Sequence, residues 1–216
     1  HLLLDELMNG GWITHLATNG AGVIHDWEWA FHGQSTECVR SNVATGTFGT
    51  WEETGRYLHL ALLTGAIKDE GFGQSVGRMA TEDGLTLPSR AELENQLRGE
   101  PAHPLSPARA ELLGAMARHD LAEGRHEIPH PWKSSCVLAN AIKHNIPLTV
   151  HPGIGYDIIS NHPMFNGAAL GRAAEMDFAS FGGAVEGLDN GVVLSVGSAI
   201  MGPQVFEKSI SCVNNL

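Results

Sequence analysis

The sequence predicts an α/β protein in which a parallel β-sheet is covered by helices on both faces. Three runs rich in β-branched and other apolar residues, 12–17, 146–150 and 192–196, have the composition of buried strands. Segments of helical composition separate these runs, and the second run follows a predicted helix after a very short join. Ligands of parallel sheets bind beyond the carboxyl ends of the strands, so a functional site is expected in the segments that follow the three runs.

The helices are predicted from apolar periodicity and from their start and stop residues. Pro107 suits the first turn of one helix, and Ser134 or Ser135 can cap another. Residues 84–107 carry four prolines and are predicted to be an exposed, mobile connection around one short helix, and residues 128–132 are predicted to form a loop. The predicted helices span residues 23–33, 35–45, 50–68, 71–84, 106–121, 134–145, 167–188 and 203–216.

Composition limits the class of protein. The 216 residues are 43% hydrophobic and 17% charged, which fits one α/β domain over residues 1–216. A formal charge of −11 argues against a nucleic-acid backbone or an anionic membrane surface as partner. Cys38, Cys136 and Cys212 are far apart and odd in number, so we expect reduced thiols in the cytoplasm. The start at His1 is not a methionine and its apolar run is too short for a signal peptide or a membrane span, so we expect further residues upstream.

The segment 18–28 is the first candidate site. Gly20 and Gly22 stand between a predicted strand and a predicted helix, where they allow a sharp turn beside a ligand. The helix start offers backbone N–H groups and the positive end of the helix dipole to an anion such as phosphate. An ordinary tight turn is the alternative, because His25 stands where the dinucleotide fingerprint has its third glycine. No strand with a terminal acidic residue follows about twenty residues later.

Histidines in these segments are the candidates for proton transfer. His25 lies in the first turn of a predicted helix, where the dipole keeps an imidazole neutral and able to act as a base. His151 directly follows a strand and is the stronger candidate, with Asp157 and His162 on the same loop. A hydrogen bond to the backbone is the structural alternative for His25. Surface or loop positions are predicted for His32, His59, His103, His119, His126, His130 and His144.

Three short motifs, in the same order along the chain, resemble those of the deoxyhypusine synthases. Residues 19–26 (Asn-Gly-Ala-Gly-Val-Ile-His-Asp) resemble the Thr-Ala-Gly-Gly-Val-x-x-Asp loop of that family. The strand that begins with Ile146-Pro147 and leads to Asp157 resembles their Ile-Pro strand before a Thr-Asp-Gly-Ser turn. Residues 197–200 and 214–216 resemble their Gly-Gly-Gly-Val turn and Asn-Ala-Asn-Leu run.

The resemblance implies a Rossmann-like NAD-binding fold, a tetramer and sites at subunit interfaces. In that family, NAD removes hydride from spermidine and a lysine carries the aminobutyl group to the acceptor protein. This chain has Tyr156-Asp157-Ile158-Ile159 instead of Thr-Asp-Gly-Ser, and it ends before the region of that lysine. It therefore resembles the divergent, uncharacterised bacterial members of the superfamily more than a true deoxyhypusine synthase. By position, the nucleotide would be lined by Asn19, Gly20, Ala21, Gly22, Asp26, Asp157, Gly197 and Ser198.

Three functions are compatible with the sequence. The first is an NAD-dependent enzyme acting on a small polar or amine-bearing substrate, since acidic residues suit a cation. The second is a metal-dependent hydrolase, although no tight ligand motif assigns a metal. The third is a nucleotide-binding oligomer without catalysis. The predicted catalytic residues of the first are His25, Glu28, His151 and His162, and the ligands of the second would be His25, Asp26, His151, Asp157 and His162.

Overall fold

The structure, a computed structural model, describes residues 2–35, 37–49 and 51–215. Its mixed α/β architecture confirms the predicted class. Four residues lie outside the described ranges: His1, Thr36, Thr50 and Leu216. Thr36 and Thr50 belong to two predicted helix starts, and Leu216 is the predicted end of the last helix. The elements are α1 (Leu2–Asn9), β1 (Leu16–Asn19), α2 (Gly20–His32), α3 (Val39–Thr45), α4 (Glu52–Ala66), α5 (Phe72–Thr81), β2 (Gly84–Leu87), α6 (Arg90–Gly99), α7 (Ser106–Arg118), β3 (Gly124–Glu127), α8 (Val137–Lys143), β4 (Leu148–His151), α9 (Gly167–Glu186) and α10 (Met201–Asn214).

The strands form two separate pairs. β1 and β4 are parallel, with Leu16 opposite Leu148 and Asn19 opposite His151. β2 and β3 are antiparallel and form a second two-stranded sheet. The described residues therefore contain one short parallel pair where the sequence predicts a parallel sheet of three strands.

Helix α4 lies at the centre of the molecule. Its residues from Leu58 to Ala66 are all buried, so it contacts neighbouring elements on every side. Trp27 of α2 and Phe72 of α5 are fully buried in the same core. Burial of these large side chains supplies much of the hydrophobic stabilisation, about 1.5–3 kcal/mol for each one.

Local chemistry explains why α2 begins and ends where it does. The Asn19 side chain accepts a hydrogen bond from the backbone N–H of Gly22 at 2.8 Å and caps the helix. Gly33 ends it in the left-handed conformation, with φ of 72°. The predicted glycine turn is therefore the first turn of α2, and the helix starts three residues earlier than predicted.

Two of the predicted strands differ from the structure. The first is shifted to 16–19, and Trp12 at its predicted start is 81% exposed. Residues 192–196 are not a strand, and the exposed fractions of Val192, Leu194 and Val196 are 80%, 82% and 92%. Apolar composition cannot supply a pairing partner. The free edge of β4 is closed, because the N–H of Val150 donates to a side chain of α9.

Residues 84–107 contain more regular structure than predicted. The short helix is present as α6, and strand β2 precedes it. Leu85, Leu87 and Leu93 are buried in the core, so these parts of the segment are not exposed. The predicted mobility of the segment stays a prediction. Residues 128–132 contain no helix or strand, as predicted. Within the described ranges, no helix combines the length and apolar composition needed to cross a membrane.

Candidate functional site

The carboxyl ends of β1 and β4 lie side by side, as predicted for a parallel pair. Asn19 and His151 are register partners at these ends, and α2 begins immediately after Asn19. We call this place the carboxyl edge; it consists of Asn19, Gly20, His151 and Asp157. It brings together predicted residues from two of the three candidate segments.

Asp157 lies directly against Gly20. A β-carbon built on Gly20 would overlap the Asp157 carboxylate, so a larger residue at that position would force the carboxylate to move. The backbone N–H of Gly153 donates to the Asp157 Oδ2 at 2.7 Å. Burial raises the pKa of Asp157, and the hydrogen bond from Gly153 opposes that rise. A carboxylate thus occupies the start of α2, where a helix N-terminus favours negative charge.

The glycines at the start of α2 are not an open phosphate cradle. A β-carbon on Gly22 would overlap the Thr18 hydroxyl, as one on Gly20 would overlap Asp157. The N–H of Gly22 is already used by the Asn19 cap. The phosphates of NAD therefore do not fit at this turn while Asp157 holds its position. Ala21, in the same turn, has an exposed side chain.

Asp26 is part of the helix framework. It is 5% exposed, and it accepts hydrogen bonds from the backbone N–H groups of Val137 at 2.9 Å and Leu138 at 2.8 Å. The thiol of Cys136 donates to it at 3.1 Å. Burial raises the pKa of Asp26, and these hydrogen bonds oppose the rise. Asp26 thus caps the start of α8 from α2, a role that the family resemblance does not imply.

His25 and Glu28 form a small polar cluster away from the carboxyl edge. The His25 Nδ1 lies 3.0 Å from the Ser35 Oγ and 3.7 Å from Glu28 Oε2. Thr54 donates to the buried Glu28 at 3.1 Å, and burial raises the pKa of Glu28. Both partners of His25 face the same ring nitrogen, whereas a catalytic triad uses opposite nitrogens for nucleophile and carboxylate. The cluster lacks the geometry of a triad.

His162 occupies a third place. Its Nε2 lies 2.9 Å from the Glu52 Oε2, and its Nδ1 accepts from the N–H of Met164 at 3.1 Å. The rings of His162 and His59 are stacked, with their centroids 6.1 Å apart. His59 is 1% exposed, and burial lowers its pKa to about 4. The predicted surface or loop position of His59 is therefore wrong, because this residue is buried in α4. His130 lies in a loop as predicted, but it is only 1% exposed.

The third predicted segment is only loosely joined to the other two. The Ser198 hydroxyl accepts from the N–H of Gly202 at the start of α10, and Gly197 has a left-handed φ of 72°. The Tyr156 hydroxyl lies 3.9 Å from the Met201 sulfur. Gly197 and Ser198 are exposed, and a β-carbon built on Gly197 would have no neighbour within 4 Å.

The predicted metal ligands are not gathered at one point. Asp26 caps α8, His25 contacts Ser35 and His162 contacts Glu52. Within the described part of the chain, no group of three or more His, Cys, Asp or Glu residues is arranged to hold a metal ion. The metal-dependent hydrolase therefore has no geometric support.

Thr149, His15 and Phe181 were not predicted as site residues. The Thr149 side chain is 1% exposed, and its hydroxyl lies 3.0 Å from the His15 Nε2 and 3.4 Å from the His151 Nε2. Phe181 of α9 packs edge-on against both imidazole rings. Thr149 and His151 are two positions apart in β4, and residues with this spacing share a face of a strand. That spacing is the sequence signal that could have identified Thr149 as a neighbour of His151.

A small groove lies where β1 meets α2 and α8. It has a volume of about 180 Å³, below the roughly 300 Å³ at which ligand pockets begin. Thr18, Gly22 and Asp26 contribute to its wall, which is otherwise apolar.

No protein-family model, curated protein or solved structure matches the chain.

Proposed function

We propose that this chain is a deoxyhypusine synthase-like, NAD-binding enzyme that acts on a small polar or amine-bearing substrate at the carboxyl edge. The observation that carries the proposal is the meeting of Asn19, Gly20, His151 and Asp157 at that edge. Substrate sites of parallel α/β proteins lie at this end of the strands. The resemblance of residues 19–26 and 146–157 to the synthases supports the same place.

The side chains at the carboxyl edge suit an amine. An aliphatic ammonium is positively charged at neutral pH, and the Asp157 carboxylate is a partner for it. Burial lowers the pKa of His151, so its imidazole is neutral at neutral pH and can accept a proton. In the proposed reaction, Asp157 binds the ammonium group and His151 removes a proton from the substrate.

NAD is the proposed cofactor because the resemblance implies it. When bound, it would accept hydride from the substrate. Its phosphates would have to lie away from Gly20, or Asp157 would have to leave that glycine, because the carboxylate fills the start of α2. The Rossmann-like sheet of the family is part of the same proposal, and the parallel pair of β1 and β4 is the part of such a sheet that the described residues contain.

Thermal unfolding with added ligands tests the proposal, because a ligand bound only by the folded chain raises its stability. We expect millimolar NAD and a panel of small aliphatic diamines each to raise the unfolding midpoint. Asp157→Asn should abolish the shift with amines, whereas Asp189→Asn, a change at an exposed aspartate, should not. The proposal would be overturned if neither NAD nor any of the amines raised the unfolding midpoint. A shift with NAD but no hydride transfer to it would favour the non-catalytic nucleotide-binding oligomer.

We propose further that the chain assembles with copies of itself and works in the cytoplasm. The apolar side chains of Val192, Leu194 and Val196 are exposed, as is Ile200 at 68%. Large apolar side chains that are exposed together in one short segment suit a protein interface. Cys38, Cys136 and Cys212 are free thiols, which suits a reducing compartment. Light scattering measures the mass in solution, and a monomer at all concentrations would contradict the assembly.

A further inference from the structure

Two imidazoles share one buried hydroxyl beside the carboxyl edge. His15 precedes β1, His151 ends β4, and Thr149 lies between their rings. The Thr149 Oγ1 has three neighbours: the His15 Nε2 at 3.0 Å, the His151 Nε2 at 3.4 Å and the carbonyl oxygen of Leu16 at 3.4 Å. We call His15, Thr149 and His151 the His-Thr-His chain.

The number of available protons restricts how the His-Thr-His chain can be arranged. A threonine hydroxyl has one proton to donate and two lone pairs that accept. The Leu16 carbonyl can only accept, so the hydroxyl proton must go there if all three contacts are hydrogen bonds. Both imidazoles must then donate an Nε2–H to Thr149. In a neutral imidazole with the proton on Nε2, the lone pair is on Nδ1.

We propose that Thr149 and His15 are positioning residues for His151: they hold it in the Nε2–H tautomer and leave Nδ1 as the proton-accepting atom. This assignment deepens the proposed function, on which it rests for the role of His151 as proton acceptor. Thr149 acts directly through its hydroxyl. His15 acts by donating to the other lone pair, so that the hydroxyl donates its own proton to the Leu16 carbonyl.

The surroundings keep the two rings neutral and fixed. Phe181 packs against both rings, with centroid distances of 5.5 Å to His15 and 5.3 Å to His151, and it brings no charge. Asp177, on the same helix, accepts the N–H of Val150 through its carboxylate. Burial, and to a lesser extent repulsion from His151, lowers the pKa of His15 to about 4. His15 is therefore neutral at the pH where His151 would work.

Nitrogen NMR of ¹⁵N-labelled protein tests the assignment without substrate or NAD. In the unmodified chain at neutral pH, we expect His151 to show a protonated Nε2 and an unprotonated Nδ1. Thr149→Val keeps the buried methyl but removes the hydroxyl, so both tautomers of His151 should become populated and its two nitrogen shifts should move towards each other. Thr149→Ser should restore the original shifts.

Thr86→Val is the matched control, since Thr86 is an exposed threonine in strand β2. An Nδ1–H tautomer in the unmodified chain would overturn the proposal, and that measurement needs no variant. Shifts in Thr149→Val that change no more than those in Thr86→Val would also overturn it. Absence of NAD or amine binding would defeat the proposed function but would leave these shifts unchanged. If turnover is found, Thr149→Val should lower kcat and leave KM unchanged.

Discussion

Gly20 is required by a contact within the chain. Its α-carbon faces the Asp157 carboxylate so closely that a methyl group would overlap it. We predict that Gly20→Ala lowers the free energy of unfolding by about 1–3 kcal/mol, the usual penalty for overfilling a packed place. Urea unfolding followed by tryptophan fluorescence measures this change.

Gly167 provides a closely matched control for Gly20. It is the first residue of α9 and follows an asparagine cap, Asn166, as Gly20 follows Asn19. A β-carbon on Gly167 would meet only Phe165, at an ordinary 3.8 Å. Gly167→Ala should be neutral or stabilising by up to about 1 kcal/mol, because alanine favours a helix over glycine. Equal effects of the two substitutions would show that Asp157 does not restrict Gly20.

At the scale of elements, helix α8 depends on a cap from another helix. The two oxygens of Asp26 accept from Val137 and Leu138 at its start. An asparagine offers one oxygen and one NH₂ group, so Asp26→Asn would set a donor against a backbone donor. We predict a loss of about 1–3 kcal/mol, measured by urea unfolding. Asp189→Asn, at an exposed position, should have no effect, and an Asp26→Asn variant as stable as the unmodified chain would contradict the cap.

The sequence was sufficient to predict elements whose signals are local. The terminal glycine of α2, Gly33, and the proline in the first turn of α7, Pro107, are signals of this kind. The asparagine cap of α2 is also local, but it was not used, and the predicted start of that helix is three residues late. Strand pairing is not local, so residues 192–196 could not be distinguished from a buried strand by composition. For the site, the rule for parallel strands predicted that the segments after β1 and β4 lie at one edge. It could not predict the direct contact between Gly20 and Asp157, because the two residues are 137 positions apart and no spacing rule connects them.

At the scale of the whole molecule, buried titratable groups join elements that are distant in sequence. The Asp177 Oδ2 accepts from Phe72 and Gly73 at the start of α5 and from Val150 in β4. His59 of α4 contacts the carbonyl oxygen of Ile159 at 2.7 Å. Each group therefore links two or three segments of the chain, and its ionisation is coupled to folding.

These two groups make stability depend on pH in opposite directions. Burial lowers the pKa of His59 from 6.5 to about 4, so its contribution is present above pH 6.5 and is lost as the pH falls towards 4. Burial raises the pKa of Asp177 from 3.8 to about 6, against three hydrogen bonds, so its contribution is present below pH 3.8 and is lost as the pH rises through 6.

Two variants separate these contributions. His59→Gln keeps a donor for the Ile159 carbonyl but does not titrate, so it should gain stability relative to the unmodified chain as the pH falls from 6.5 to 4. Asp177→Asn keeps an acceptor oxygen for the backbone N–H groups, so it should gain relative stability as the pH rises from about 4 to about 6. Urea unfolding at a series of pH values gives both differences. If the free energy of unfolding of either variant changes with pH in the same way as that of the unmodified chain over its pH range, the pKa of that group does not change on folding. The burial of that group would then not contribute to the pH dependence of stability.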